Sequence, residues 1–185
     1  LTKTREEAWA LLTEYTQSES LRKHALAVEA AMRHYARLMG GDEELWGLTG
    51  LLHDFDYERY PNAPEHPTRG MEILAERGWP PEIIRAIAGH ATYLGVERDT
   101  AMARALFAVD ELCGFLTACA YVQPSRRIAD VKVASVRKKL KDRAFARSVN
   151  REDIHASVEE LGIPLEQHIQ NCLDALTAAA DDLGL

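Results

Sequence analysis

The chain has 185 residues, 46% of them hydrophobic and 28% charged, with a formal net charge of −7. This is the composition of an ordinary folded domain with enough apolar material for a sizeable core, and its acidic balance argues against a nucleic-acid polymer as partner. No apolar run approaches the roughly 18 residues that a membrane span needs, and Leu1-Thr2-Lys3-Thr4-Arg5-Glu6-Glu7 shows no apolar signal core, so a cytoplasmic protein with no membrane partner is expected.

Thr4 and Glu7 form a T-x-x-E capping box, which predicts a first helix from about Arg5 to Tyr15. Ser18 and Ser20 are candidate N-caps of a second helix that runs to Met39 and stops at Gly40-Gly41. On it Leu21, His24, Ala25, Val28 and Met32 follow the i, i+3, i+4, i+7 rule, so His24 belongs to the buried stripe. Asp42 caps a third helix over about Glu43 to His53. Pro61, Asn62 and Pro64 make Asp56 to Glu65 a loop. Pro67 suits the first turn of a fourth helix that ends at Gly78, with His66 just before it. Pro80 and Pro81 open a fifth, with His90 at its C-terminal end.

Asp99 is the expected cap of a long sixth helix to about Tyr121, on which Asp110 is an acid within an apolar stripe. Pro124 breaks the chain. A basic segment follows, Arg126 to Arg143, with Val131, Ala134, Val136 and Leu140 expected inward. Asn150 caps an eighth helix ended by Gly162, and Pro164 opens a last one. No segment alternates with period two for long enough to be a strand. The expectation is an all-α single domain of about nine helices, with a core over 18–121 and a helical extension over 125–185.

Cys113, Cys119 and Cys172 are odd in number and lack CxxC spacing, so neither a disulfide framework nor a zinc-thiolate site is indicated. All three are expected to be buried and inert in a reducing compartment. His34, His155 and His168 stand among polar neighbours and are expected on the surface.

Five places then need one explanation: His24, the His53-Asp54 pair, His66, His90 and Asp110. Taken singly, each has an ordinary reading as a hydrogen-bonded core residue. Taken together they are costly. Burying carboxylates and imidazoles in one place leaves charges and polar atoms unsatisfied unless a cation compensates. Imidazole and carboxylate are the ligand types that first-row divalent metals accept without thiolates. Adjacent residues such as His53 and Asp54 can meet at one cation only where the helix frays into a loop.

The order His … His-Asp … His … His … Asp on an all-α background resembles the HD superfamily (HDIG-type) of metal-dependent phosphohydrolases. The resemblance spans about Ser20 to Gly114. It is carried by His24, Leu51-Leu52-His53-Asp54, Glu65-His66-Pro67 leading into Gly70, Gly89-His90, and Ala108-Val109-Asp110-Glu111-Leu112. It implies that His24, His53, Asp54 and Asp110 hold one metal. It also implies that His66 and His90 complete a second site, with Asp54 bridging and fixing the nucleophile. One or two divalent transition metals are thus expected: Mn, Fe, Co, Ni or Zn. Many relatives follow His-Asp with Ile-Gly-Lys, whereas this chain has Phe55-Asp56-Tyr57. Asp56 either orients His53 or a metal-bound water, or is simply a helix-terminal turn residue.

The Arg126–Arg143 segment is either a solvated helix face or a guide for phosphate, with Lys132, Lys138 and Lys139 as the contacting side chains. The expected activity is hydrolysis of a small phosphoester or nucleotide by a metal-activated water. Two other readings stand beside it: a di-iron oxygenase on the same fold, and a non-catalytic ligand-binding or regulatory module.

Overall fold

Helix starts follow local chemistry. Thr4 accepts the Glu7 backbone N–H at 3.1 Å, while Glu7 accepts the Thr4 N–H at 2.8 Å, and this reciprocal cap opens α1 (Arg5–Tyr15). Ser18, of the two candidates, caps α2 (Glu19–Met39), which Gly40 ends at φ 72°. Asp42 caps α3 (Glu43–Leu52). There follow α4 (Glu65–Glu76), α5 (Pro81–His90), α6 (Ala101–Tyr121), α7 (Val133–Leu140), α8 (Arg151–Leu161), α9 (Leu165–Ala178) and α10 (Ala180–Leu183).

The computed structural model describes residues 2–185, and the described residues form helices and no strand. Leu1, the first residue of the N-terminal stretch without a signal core, lies outside them. Short 3-10 turns at Thr92–Leu94 and Ile128–Asp130, and the last helix α10, were not expected. No described helix is long and apolar enough to cross a membrane.

The cap of α6 is Thr100, not Asp99: Thr100 accepts the Ala103 N–H at 3.1 Å. Asp99 instead receives Arg85 at 3.0 Å. Either residue type could cap, and the long-range ion pair decided between them.

Helix α6 forms the centre. Leu106, Val109, Leu112, Phe115 and Leu116 on it are all fully buried, and α2, α5 and α8 pack around it. Burial of each such side chain contributes about 1.5–3 kcal/mol. Helix α2 also packs on α3 and α9. The α2–α3 contact is close because Gly50 has no side chain. A Cβ there would lie 2.8 Å from the Val28 carbonyl oxygen and 3.0 Å from the Glu29 backbone. This approach sets the end of α3 beside the middle of α2.

His168 corrects the surface expectation. It is fully buried on α9, donates from Nε2 to the Ala108 carbonyl at 2.7 Å, and accepts from the Tyr35 hydroxyl at Nδ1. It shares the helical stripe of Leu165, Ile169 and Cys172, a periodicity that outweighs its polar neighbours. His155 is exposed and His34 half-buried. Ala134 is exposed, whereas Val131, Val136 and Leu140 do turn inward. The three cysteines are buried and free.

Candidate metal centre

Each cluster side chain arrives from a different element. His24 comes from α2, His53 caps the C-terminus of α3, Asp54 opens the following turn, His90 ends α5, and Asp110 lies in the middle of α6. His66 sits at a break in α4, with extended backbone at φ −88°, ψ 127°. Helix α3 stops at His53, so the chain turns there and adjacent side chains converge. His53 Nε2 lies 3.3 Å from Asp54 Oδ2.

The six residues fall into two groups that share Asp54. Asp110 Oδ1 is 3.0 Å from His24 Nε2 and 3.1 Å from His53 Nε2, and Asp54 Oδ2 closes that group. The other oxygen of Asp54, Oδ1, is 3.2 Å from both His66 Nε2 and His90 Nε2. One carboxylate thus gives one oxygen to each group. Within each group the ligand atoms lie within 4.8 Å of one another.

The outer nitrogens are held as well. His53 Nδ1 donates to the Gly50 carbonyl at 2.7 Å, and His90 Nδ1 donates to the Ile87 carbonyl. A carbonyl can only accept, so Nδ1 carries a proton, and in the neutral ring the Nε2 lone pair points into the cluster. There it meets carboxylate oxygens, which are also acceptors. A positive centre between them resolves this opposition.

With no metal bound, protons on the imidazoles take that place. Burial opposes charging of His53, but Asp54 and then Asp110 more than offset it and hold its pKa well above the usual value. Burial would raise the Asp54 and Asp110 carboxyls, yet His53 foremost holds both well below the usual carboxylate range. Both carboxylates therefore stay ionised, balanced in the metal-free site by charged imidazoles. A divalent cation could displace those protons, and an N/O donor set without thiolate is of the type that suits Mn, Fe, Co, Ni or Zn.

Asp56 is 1% exposed and serves His66 rather than His53. Its Oδ1 accepts from His66 Nδ1 at 2.7 Å, and its Oδ2 accepts the Gly70 N–H at 3.0 Å. Gly70 permits this approach: a Cβ there would stand 2.8 Å from the Asp56 carboxyl carbon. Burial lowers the tendency of His66 to charge, but its hydrogen bonds to Asp54 and Asp56 raise its pKa to about 9.

A cavity of about 430 Å³ opens over the cluster. Its wall includes Tyr57, Tyr93, Glu111, Asn150 and Asp153, none of them expected as site residues from sequence. Tyr57 packs edge-on against His66 at 5.3 Å, and Tyr93 donates to the His66 carbonyl. Burial first, then the Asp110 charge, pushes Glu111 up to about 7. Glu111 and Tyr57 stand next to singled-out motif positions, which is a usable signal. Asn150 and Asp153 give none, because they reach the site only through the packing of α8 on α6.

Arg151 anchors that wall. Its guanidinium, buried over the Phe115 ring at 5.0 Å, donates to the carbonyls of Leu140, Asp142, Phe145, Ala146 and Val149. It thereby satisfies an irregular stretch that would otherwise leave backbone acceptors unpaired. Lys132, Lys138 and Lys139 do not line the cavity. Helix α7 packs on α9, and Lys139 donates to Ser135 at 2.9 Å.

A family profile described as the HD domain matches residues 21–114. Neither the curated proteins nor the solved structures gave a match. The matched stretch holds all six residues of the cluster, from His24 on α2 to Asp110 on α6. The chain belongs to the HD domain family.

Proposed function

We propose that this protein is a metal-dependent phosphohydrolase that cleaves a small phosphoester or nucleotide. The observation that carries the reading is Asp54, whose two carboxylate oxygens serve two adjacent ligand groups. When bound, the divalent ions lower the pKa of a coordinated water and neutralise charge on the phosphoryl group. His24, His53, Asp54 and Asp110 hold the first site, and His66 and His90 complete the second. Asp54 fixes the spacing of the two sites and with it the position of the attacking water. Glu111 is a carboxyl in the cavity wall, available to take or give a proton.

No Lys or Arg is among the residues lining the cavity, so bound metals would be the main positive charge offered to a phosphoryl group there. Lys132, Lys138 and Lys139 act on a phosphorylated substrate only at a distance, through a field that salt screens beyond about 8 Å. The same cationless wall favours the second reading, a di-iron oxygenase, because oxygen binding needs no phosphate clamp. Metal analysis, followed by hydrolysis assays on phosphomonoester, phosphodiester and nucleotide panels, tests the proposal. Release of phosphate or alcohol by manganese-, cobalt- or zinc-loaded protein supports it. Consumption of oxygen by iron-loaded protein with no hydrolysis of any ester overturns it.

A further inference from the structure

Gly114 occupies the interior of α6, one turn beyond Asp110. Glycine there is unfavourable by about 1 kcal/mol relative to alanine. Elsewhere close packing explains it: a Cβ at Gly50 or Gly70 would collide with backbone or with Asp56. At Gly114 a Cβ would meet nothing within 4 Å. Its φ is not in the left-handed region either. Neither packing nor backbone conformation in the protein alone calls for a glycine.

Its surroundings supply the reason. Gly114 and His24 line the cavity over the metal ligands, and both also line a second recess of about 130 Å³. The recess continues between α2 and α6, bounded by Ser20, Lys23, Thr117, Tyr121, Leu183 and Leu185. Asp110, Gly114, Thr117 and Tyr121 are spaced i, i+4, i+7, i+11 and form one stripe on α6. On the facing helix, Ser20 and His24 are likewise one turn apart. Asp110 and His24 hold the metal end of this groove, and Gly114 is its threshold. The polar groups beyond are engaged already: Thr117 donates to the Cys113 carbonyl at 2.9 Å, and Lys23 pairs with Glu19 at 3.2 Å. What remains is largely the carbon surface of Tyr121, Leu183 and Leu185. Its volume is close to that of a cavity that takes one aromatic ring.

We propose that Gly114 is a specificity residue that lets substrate cross the α6 backbone. The substrate is then an amphiphilic phosphoester, with its phosphoryl group at the metal centre and a short alkyl or single-ring group in the recess beyond Gly114. This rests on the phosphohydrolase reading for the phosphoryl end only. From Gly114 to Tyr121 the groove runs about 10 Å along the helix axis, room for a chain of about six carbons.

The test uses non-hydrolysable probes on the manganese-loaded protein: methyl-, butyl- and hexylphosphonate, with affinity measured by calorimetry. Affinity should rise by up to about fourfold for each methylene buried. Gly114→Leu fills the threshold and should remove the dependence on chain length. Tyr121→Ala should reduce the gain from butyl to hexyl. Gly114→Ala, read by melting of the metal-free protein, should raise the melting temperature by about 2–4 °C, as expected where a glycine serves no structural need. Equal affinity for all three probes in the unaltered protein, or an unchanged length dependence in Gly114→Leu, overturns the inference. Loss of stability in Gly114→Ala does so too, by exposing a structural role. If the phosphonates show length dependence but no ester is hydrolysed, the phosphohydrolase reading fails and the groove stands. If no phosphonate binds, both fail.

Discussion

Asp56 and His66 form the one carboxylate–imidazole contact on the outer side of the candidate metal centre, Oδ1 to Nδ1 at 2.7 Å, with the Gly70 N–H fixing the far oxygen of Asp56 at 3.0 Å. The pair holds His66 at a break in α4, where regular helix geometry does not orient it. Asp56→Asn keeps the shape but removes the charge. It should weaken binding of the second metal equivalent by about 10–100-fold and leave the first nearly unchanged. A stepwise metal titration reads this. Equal loss at both steps, or none, would show that Asp56 does not support the second site through His66.

The raised pKa of His66 predicts a pH signature. Its folded value is about 9, above the 6.5 of an unperturbed imidazole. In metal-free protein the proton on His66 therefore contributes stability that is fully present below about pH 6.5. That stability is lost as pH rises through about 9. A metal competes for the same nitrogen, so second-site affinity should increase from pH 7 to pH 9 and level off above. Melting of the chelator-treated protein at pH 6 and 9, beside titrations at both, checks the two signs. Stability of the metal-free protein that rises over this window would contradict the assignment.

Removing ligands should separate the two groups. Asp54 serves both, so Asp54→Ala should abolish nearly all metal. His53→Ala should remove the first equivalent and weaken the second through the loosened Asp54. His66→Ala and His90→Ala should each cost about one equivalent and leave the chain folded, because His24, His53 and Asp110 are untouched. Elemental analysis of protein purified without chelator decides. Full metal retention in Asp54→Ala would sink the shared, two-site centre.

Gly50 is required by contact rather than by backbone freedom. Gly50→Ala puts a Cβ 2.8 Å from the Val28 carbonyl and forces α3 away from α2. Overpacking of this kind costs about 1–3 kcal/mol, a fall of several degrees in melting temperature for a chain of this size. Since α2 carries His24 and α3 ends at His53, first-site metal affinity should fall as well. A variant that melts unchanged and binds metal normally would show that the two helices are not locked at this point.

Local signals were enough for most of the helices. The capping box at Thr4 and Glu7, the caps Asp42 and Asn150, and the stops Gly40 and Gly162 act within one turn, so the chain's own order displays them. The candidate ligand series from His24 to Asp110 was legible because polar residues stand out on apolar stripes and because their order matches a family pattern; the fold brings those six residues together. What the linear chain could not display was contact between distant segments. Asp99 lost its cap role to an ion pair with Arg85, and Asp56 turned to His66 instead of His53. His168, surrounded in sequence by polar residues, is buried between α2 and α6. Asn150 and Asp153 joined the cavity wall only because α8 docks on α6, and the open space above Gly114 exists only in the packed fold. Caps, stops and periodicity depend on neighbours within about four residues, which sequence sets side by side. Partners, burial and empty space depend on which helices meet, and only the packed structure determines that.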